Sequence, residues 1–186
     1  MNEKSLNVVP LTQDLLPFAE SFSSGNKYID GFLKNGDFSL DVNIGTTYVF
    51  LSSSKKEIVG FYNLGMSSLD QLQEVNGRLI RSRMGGAINI NYFALDERYH
   101  KQIKGQLPSG MNIYLSDLLL DECFERIEQI TQQYIGATLI TLNSTNEGLN
   151  LYTRNGFDRL EEDMSFTMEE SDHDCIQLYK WIHEFE

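Results

Sequence analysis

The apolar residues of this chain recur with spacings that predict both strands and amphipathic helices. The strongest helical signal covers residues 111–134, where Leu119, Cys123 and Ile127 return every fourth position. Shorter helices are predicted at residues 14–22, 27–34 and 145–155, and Asn35-Gly36 is expected to end the second of these in a left-handed turn. Together these segments predict four helices.

Runs rich in β-branched and aromatic residues predict the strands. They lie at residues 6–9, 46–51, 58–64, 87–95, 137–142, 157–160 and 175–182. The second and third runs are separated by the polar segment 52–56, which is typical of a hairpin. Residues 67–86 are ambiguous, since Leu69 and Leu72 would fit a helical turn, and this segment is interpreted as a variable insertion. Residues 96–110 are expected to form a polar loop.

The order of these elements predicts an α/β (α+β) fold. Strands joined through a helix pair in parallel or lie far apart, so a mixed sheet with helices on both faces is expected. A length of 186 residues suits one folded unit, and we expect a single domain over residues 1–186.

Composition limits the kinds of site and the cellular location that we expect for this protein. Cys123 lies on the apolar face of the long predicted helix and Cys175 lies far away in sequence, so neither a disulfide framework nor a metal site is expected. No apolar run approaches the ~20 residues that a membrane helix needs, and the N-terminus lacks the pattern of a signal peptide. We therefore expect a cytoplasmic protein that does not enter a membrane.

The charge argues against a nucleic-acid partner. The formal net charge is −12, which disfavours long-range attraction to a polyanion. The local basic patch of Arg98, His100, Lys101 and Lys104 could still hold a small anionic cofactor, or it could be an ordinary solvated loop.

Near the C-terminus, a buried-type strand and a polar turn precede Leu151-Tyr152 and Asn155-Gly156-Phe157. This order resembles the C-terminal half of the GNAT superfamily of N-acetyltransferases. Tyr152, Gly156 and Phe157 match the family segment, whereas Gly148 stands at the usual alanine position and Thr145 where asparagine is common. The resemblance implies a mixed, mostly antiparallel central sheet and acetyl-CoA as co-substrate.

The resemblance also implies which residues contact the cofactor. The strand residues Phe93, Ala94 and Leu95 would face its pantetheine arm, and Asp96, Arg98 and Tyr99 match the lead-in to the family's pyrophosphate loop. In that loop His100 takes the glutamine position, Lys101 and Ile103 take two glycine positions, and only Gly105 keeps a glycine. Either Ser109, Gly110, Met111 and Asn112 form the anion-facing turn instead, or CoA binding is weakened or lost.

Tyr152 is the candidate proton donor to the leaving thiolate, and a backbone amide within residues 93–95 would polarise the thioester. Asn143 and Asn146 would bond the pantetheine or the acceptor, or they satisfy turn backbone. No general base is identifiable, although Glu97, His100 and Tyr92 lie near the expected cleft.

Short matches over residues 22–64 resemble the GNAT branch that contains toxins acetylating aminoacyl-tRNA. The favoured interpretation is an N-acetyltransferase with acetyl-CoA and an unknown amine acceptor as partners; a homodimer is left open. The alternatives are a GNAT-fold module that binds CoA or a protein without turnover, and a tRNA-acetylating toxin.

Overall fold

A computed structural model of the chain describes residues 6–54, 57–166 and 175–183. The chain forms two compact units, residues 1–64 with 91–125 and residues 65–90 with 126–186. The strands of the main sheet follow the order β1-β2-β3-β4-β7-β10-β8, with β9 added beside β3. Within the described residues the β4–β7 pair is parallel, whereas the other pairs specified below are antiparallel. The predicted mixed, mostly antiparallel sheet is confirmed.

The first unit begins with β1 (Val8–Pro10), which pairs with β2 (Thr46–Leu51). A 3-10 turn, Gln13–Leu15, leads into the helices α1 (Leu16–Ala19), α2 (Lys27–Lys34) and α3 (Gly36–Ser39). Strand β2 continues the sheet by pairing with the first part of β3 (Ile58–Val75). Phe22, Leu33 and Phe61 are among the buried side chains that form the core of this unit.

Two helix predictions in this unit need correction. The predicted helix at residues 14–22 is shorter, because its regular part ends at Ala19. Gly36 does not close α2 with a left-handed residue; it starts α3, where the Asn35 side chain accepts a hydrogen bond from the Asp37 amide at 3.0 Å. The predicted bounds of α2 are confirmed.

The prediction of a variable insertion at residues 67–86 is wrong. These residues belong to β3 and β4 (Arg78–Leu95), two strands of 18 residues each. Asn76 and Gly77, with φ of 53° and 77°, form the turn between them, as a two-residue hairpin requires. The signal was weak because most side chains from Leu72 to Arg81 are exposed, so hydrophobicity does not alternate there.

The prediction of a plain loop at residues 96–110 and of a helix start near residue 111 is also wrong. A 3-10 turn, Glu97–Tyr99, is followed by a hairpin of β5 (Ile103–Gln106) and β6 (Asn112–Tyr114). Helix α4 begins only at Leu115 and ends at Gln133. The helix was predicted to start too early because apolar residues also precede it. Leu107 and Met111 are exposed and belong to the hairpin, not to the helix.

The second unit contains β7 (Leu139–Ser144), α5 (Leu149–Arg154), β8 (Asp158–Arg159), β9 (Met164–Phe166) and β10 (Ile176–Trp181). Residues 87–90 of β4 pair in parallel with residues 139–142 of β7. Strand β10 pairs with both β7 and β8, whereas β9, which the sequence did not predict, pairs with Leu69–Gln71 of β3. Within the described residues, no helix is long and apolar enough to cross a membrane.

Some predictions lie partly or wholly outside the described residues. Lys55 and Lys56, which belong to the predicted β2–β3 turn, lie outside the described residues. Cys123 is buried as predicted, and Cys175 is half-buried.

Candidate active site

Tyr152 lies at the C-terminal end of α5, where local hydrogen bonds fix its backbone. The Phe157 amide donates to the Tyr152 carbonyl at 3.1 Å, and the Gly156 amide donates to the Thr153 carbonyl at 3.2 Å. With Gly156 at φ +83°, these two bonds form a Schellman motif. The hydrophobic contact typical of that motif is made by the Tyr152 and Phe157 rings, whose centroids lie 5.6 Å apart at 75°. The matched Tyr-Gly-Phe spacing therefore has a structural cause, and it buries the Tyr152 ring to 7% exposure.

Lys180 of β10 reaches the same helix end. Its ammonium donates to the Asn155 carbonyl at 2.8 Å, at the negative end of the α5 dipole. A Cβ atom on Gly156 would lie only 2.7 Å from that ammonium nitrogen. Glycine at this position thus permits both the left-handed turn and the approach of Lys180.

Gly148 lies at the other end of α5. A Cβ atom there would lie 3.3 Å from Ser144 Oγ and 3.4 Å from Cε2 of the Tyr152 ring. Alanine, the residue usual in the family, would place its Cβ in van der Waals contact with that ring and slightly tight against the Ser144 hydroxyl.

The end of β4 lies in the first unit. Ala94 and Leu95 are buried and Phe93 is half-buried. His100 Nε2 lies 2.9 Å from the Leu95 carbonyl oxygen. Because a carbonyl only accepts, this nitrogen carries the proton, and His100 ties the turn after β4 back to the strand.

Asp96, 1% exposed, organises that turn. Arg98 donates to both carboxylate oxygens of Asp96 at 2.7 Å and 2.9 Å, and the Ser23 amide donates to it at 3.2 Å. Burial opposes ionisation, but the hydrogen bonds from Arg98 and Ser23 outweigh it and hold the pKa of Asp96 below its usual value. Arg98 also forms an ion pair with Glu57. Its guanidinium is therefore already paired with two carboxylates.

The predicted anion-facing turn does not lie at a helix N-terminus. Gly110 takes φ +86° in the turn of the β5–β6 hairpin, Met111 follows it, and Asn112 begins β6. Gly105 lies in β5, and Lys101 and Lys104 are exposed. The expected link between these residues and the start of α4 is wrong, because the hairpin intervenes. Their contact with cofactor stays a prediction.

Two backbone amides at the start of α4 are bonded to the protein's own groups. The Leu115 amide donates to the Gln102 carbonyl at 2.9 Å, and the Tyr114 amide donates to Asp117 Oδ2 at 2.8 Å. A carboxylate at this place satisfies the positive end of the helix. Sequence reasoning missed Asp117, although an acidic residue three positions after a cap is a recognisable signal.

The remaining candidates are spread over both units. In the second unit, Asn143 is half-buried in β7 opposite Gln177, and Asn146 is exposed in the turn before α5. In the first unit, Glu97 and His100 are exposed. Tyr92 stacks on Phe32 with centroids 3.8 Å apart, and burial raises the pKa of its phenol, which leaves it protonated at neutral pH. The described residues thus bring Tyr152 and Asn143 into one unit and residues 93–95, His100 and the loop cations into the other.

Comparison with solved structures identifies the fold. A crystal structure of a bacterial toxin aligns with a TM-score of 0.68 at 20% identity, covering 95% of this chain and 92% of that chain. Tetrahymena GCN5 aligns with a TM-score of 0.56 at 13% identity, covering 97% and 99%. The chain has the GNAT fold.

A third similar protein is AtaT. AtaTR bound with AcCoA aligns with a TM-score of 0.65 over 96% of this chain and 94% of that chain. AtaT complexed with acetyl-methionyl-tRNAfMet aligns with a TM-score of 0.62 over 92% and 93%, and both identities are 14%. No protein-family model and no curated protein matches the chain. At these identities the likeness establishes the GNAT fold and leaves the chemistry to be argued from the residues.

Proposed function

We propose that this chain is an N-acetyltransferase that moves the acetyl group of acetyl-CoA to a primary amine, and that it works in the cytoplasm. The observation that carries the proposal is the placement of Tyr152 by the Schellman motif at the end of α5. The GNAT fold supports it, as does the acetyl-CoA complex of the similar AtaTR. The acceptor is not assigned.

Acetyl transfer needs an electrophilic thioester, a neutral amine and a proton for the departing thiolate. In this proposal a backbone amide within residues 93–95 polarises the carbonyl, and Tyr152 gives its phenolic proton to sulfur. A phenol near pKa ~10 is a weaker acid than a thiol near ~8.5, so complete transfer before cleavage would be uphill by about 2 kcal/mol. Proton transfer concerted with C–S cleavage avoids that cost, because sulfur is more basic while the bond breaks. The proton that the acetylated nitrogen loses, directly or through water, restores the Tyr152 phenol.

The pyrophosphate would be held by side-chain cations rather than by a helix N-terminus. Lys101 is exposed just before the β5–β6 hairpin and Lys104 is exposed within β5. His100 Nε2 is bonded to the Leu95 carbonyl, so His100 would add Nδ1 as a donor to phosphate when the ring is protonated. The half-buried Asn143 and the exposed Asn146 are proposed to bond the pantetheine or the acceptor. Gly105, Gly110, Met111 and Asn112 supply hairpin backbone near those cations.

The test is calorimetry with acetyl-CoA followed by thiol release with a panel of amines and peptide N-termini. We expect Tyr152→Phe to bind acetyl-CoA with unchanged affinity and to lose about 10²-fold or more in kcat, the usual range for a general acid. Tyr134→Phe is the matched control, since that tyrosine is 77% exposed. Unchanged turnover in Tyr152→Phe would remove the assigned proton donor.

A binding module without turnover is the rival. It is favoured by the start of α4, where Asp117 and the Gln102 carbonyl already take the Tyr114 and Leu115 amides. The rival, a module that binds CoA or a protein partner, predicts no thiol release from any amine, in the wild-type chain as well as in Tyr152→Phe.

Acetylation of aminoacyl-tRNA is a second candidate acceptor reaction. The similarity to a bacterial toxin and to AtaT in complex with acetyl-methionyl-tRNAfMet favours it. The net charge of −12 argues against it, because tRNA binding needs cations. Normal growth of cells that express the chain would exclude the toxin, whereas arrest rescued by a neighbouring gene product would support it.

A further inference from the structure

The β3–β4 hairpin has one open edge. Within the described residues, the edge of β4 away from β3 is paired with β7 only at residues 87–90. Residues 78–84, most of them exposed, therefore form an edge that pairs with no strand among the described residues. We call this segment the arginine edge, because it contains Arg78, Arg81 and Arg83 and no acidic residue.

The arginine edge combines positive charge with apolar surface. Arg78, Arg81 and Arg83 are exposed, and although Asp70 Oδ1 lies 4.0 Å from Arg83 Nε, the Arg83 side chain remains 72% exposed. Leu79 is 73% exposed and Ile80 is 47% exposed. On a chain with a net charge of −12 this is a local positive strip, which selects for a negatively charged partner.

The same hairpin already accepts an added strand on its opposite edge. Met164–Phe166 of β9 pairs with Leu69–Gln71 of β3, and the side-chain amide of Gln71 donates through Nε2 to Asp163 Oδ2 at 2.9 Å. This unit thus already contains one example of an added strand, β9, that is supported by a polar contact to a carboxylate.

A second copy of the chain fits the arginine edge poorly. If two copies pair in antiparallel fashion with Arg81 at the centre, all of residues 78–84 take part, and Arg81 of one copy lies directly opposite Arg81 of the other. With Ser82 at the centre, Arg81 of one copy lies opposite Arg83 of the other. With Ile80 at the centre these pairs are avoided, but only residues 78–82 of each copy are joined. Like charges directly opposite each other destabilise a strand pair, so self-pairing is disfavoured.

We propose that the arginine edge binds an extended acidic segment of a partner protein by β-strand addition. Side chains alternate along a strand, so Leu79, Arg81 and Arg83 share one face. An antiparallel partner would place acids opposite Arg83 and Arg81 and an apolar residue opposite Leu79, which gives the pattern Glu-x-Glu-x-apolar. Main-chain hydrogen bonds supply affinity and the alternating acids supply selectivity.

The experiment titrates the full chain with a capped peptide containing Glu-Thr-Glu-Thr-Val, and with the same peptide carrying Lys for Glu. We expect the acidic peptide to bind about tenfold or more tightly than the basic one. The variant R81E/R83E should reverse that preference, which also shows that it is folded. Lys27→Glu with Lys34→Glu makes the same charge change on exposed positions of α2 and should leave the preference as in wild type.

Backbone N-methylation of the acidic peptide should abolish binding, because it removes the donors that strand addition uses. Equal binding of acidic and basic peptides, or a preference that R81E/R83E leaves unchanged, would overturn the proposal. So would a dimer that R81E/R83E disrupts, or a single-stranded RNA oligonucleotide that binds more tightly than the acidic peptide and is lost in that variant.

Discussion

At the scale of single residues, the position of Tyr152 depends on its neighbours along and across the chain. The Phe157 ring packs on it, Gly156 allows the turn that brings Phe157 there, and Lys180 bonds the Asn155 carbonyl between them. The proposed reaction gives Lys180 no part in proton or acetyl transfer, and its hydrogen bond is to the Asn155 carbonyl. It is therefore a positioning residue that acts through the end of α5.

Replacing Lys180 tests this role. Lys180→Met removes the hydrogen bond to the Asn155 carbonyl, so we expect kcat to fall about tenfold while KM for acetyl-CoA stays the same, since small misplacements of a reacting group lower rate more than binding. Lys180→Arg, which keeps a donor, should recover most of the rate. Hydrogen exchange at the Phe157 amide supplies a readout without activity and should become faster in Lys180→Met.

Asp96 gives a prediction on stability. Asp96→Asn removes charge-assisted bonds to Arg98 and Ser23, and we expect the free energy of unfolding to fall by about 1–3 kcal/mol. The pKa of Asp96 is lower when folded than the ordinary 3.8, so its contribution is present above that pH and is lost as the pH falls through the lower folded value.

Urea denaturation at neutral pH and near pH 2 would check the prediction on Asp96. The difference between wild type and Asp96→Asn should be large at neutral pH and should shrink in acid. Glu97→Gln, on the exposed neighbour, is the matched control. An equal difference at both pH values would show that shape, not charge, sets the role of Asp96.

At the scale of elements, the hairpin of β3 and β4 depends on its two turn residues. Gly77 has φ +77° with no atom within 4 Å of a Cβ position, so Gly77→Ala meets backbone strain alone. We expect it to lower the free energy of unfolding by about 1 kcal/mol, with Gly77→Asn costing less because asparagine tolerates this conformation. Chemical denaturation checks both.

Gly31→Ala is the opposite case and serves as the control for Gly77. Gly31 lies inside α2, and a Cβ there also meets no atom within 4 Å. Its backbone is helical, so alanine should raise the free energy of unfolding by about 1 kcal/mol. If both substitutions lower the free energy of unfolding, the added Cβ atoms meet steric resistance, and the effect at Gly77 is not due to its φ.

The elements that the sequence predicted well are those whose burial follows a period. α2 and β2 bury regular faces, and residues 87–95, the C-terminal half of β4, form a continuous buried or half-buried run; these signals gave the right kind of element. The β5–β6 hairpin and the outer hairpin of β3 and β4 are largely exposed, so hydrophobic periodicity could not reveal them. At the site, the Tyr-Gly-Phe spacing was found by its resemblance to the family segment, and the structure explains it by a Schellman motif. Lys180 was not, because its contact with Asn155 spans 25 positions of the chain.

At the scale of the whole molecule, the net charge determines the long-range electrostatic force on an approaching anionic cofactor. The chain carries −12 and acetyl-CoA is itself an anion, so the long-range force between them is repulsive. Lys101 and Lys104 attract phosphate only over a few ångströms, a distance that salt screens less. The Debye length is about 30 Å at 0.01 M salt and about 8 Å at 0.15 M, so moderate salt removes the repulsion first.

We therefore expect the association rate constant of acetyl-CoA, measured by stopped-flow, to rise as salt increases from about 0.01 M to 0.15 M. In Lys101→Gln with Lys104→Gln the rise should persist while the dissociation rate constant increases, since only the local attraction is lost. A rate constant that falls with salt in the wild-type chain, and no longer does so in the double variant, would show instead that these two lysines govern the long-range approach.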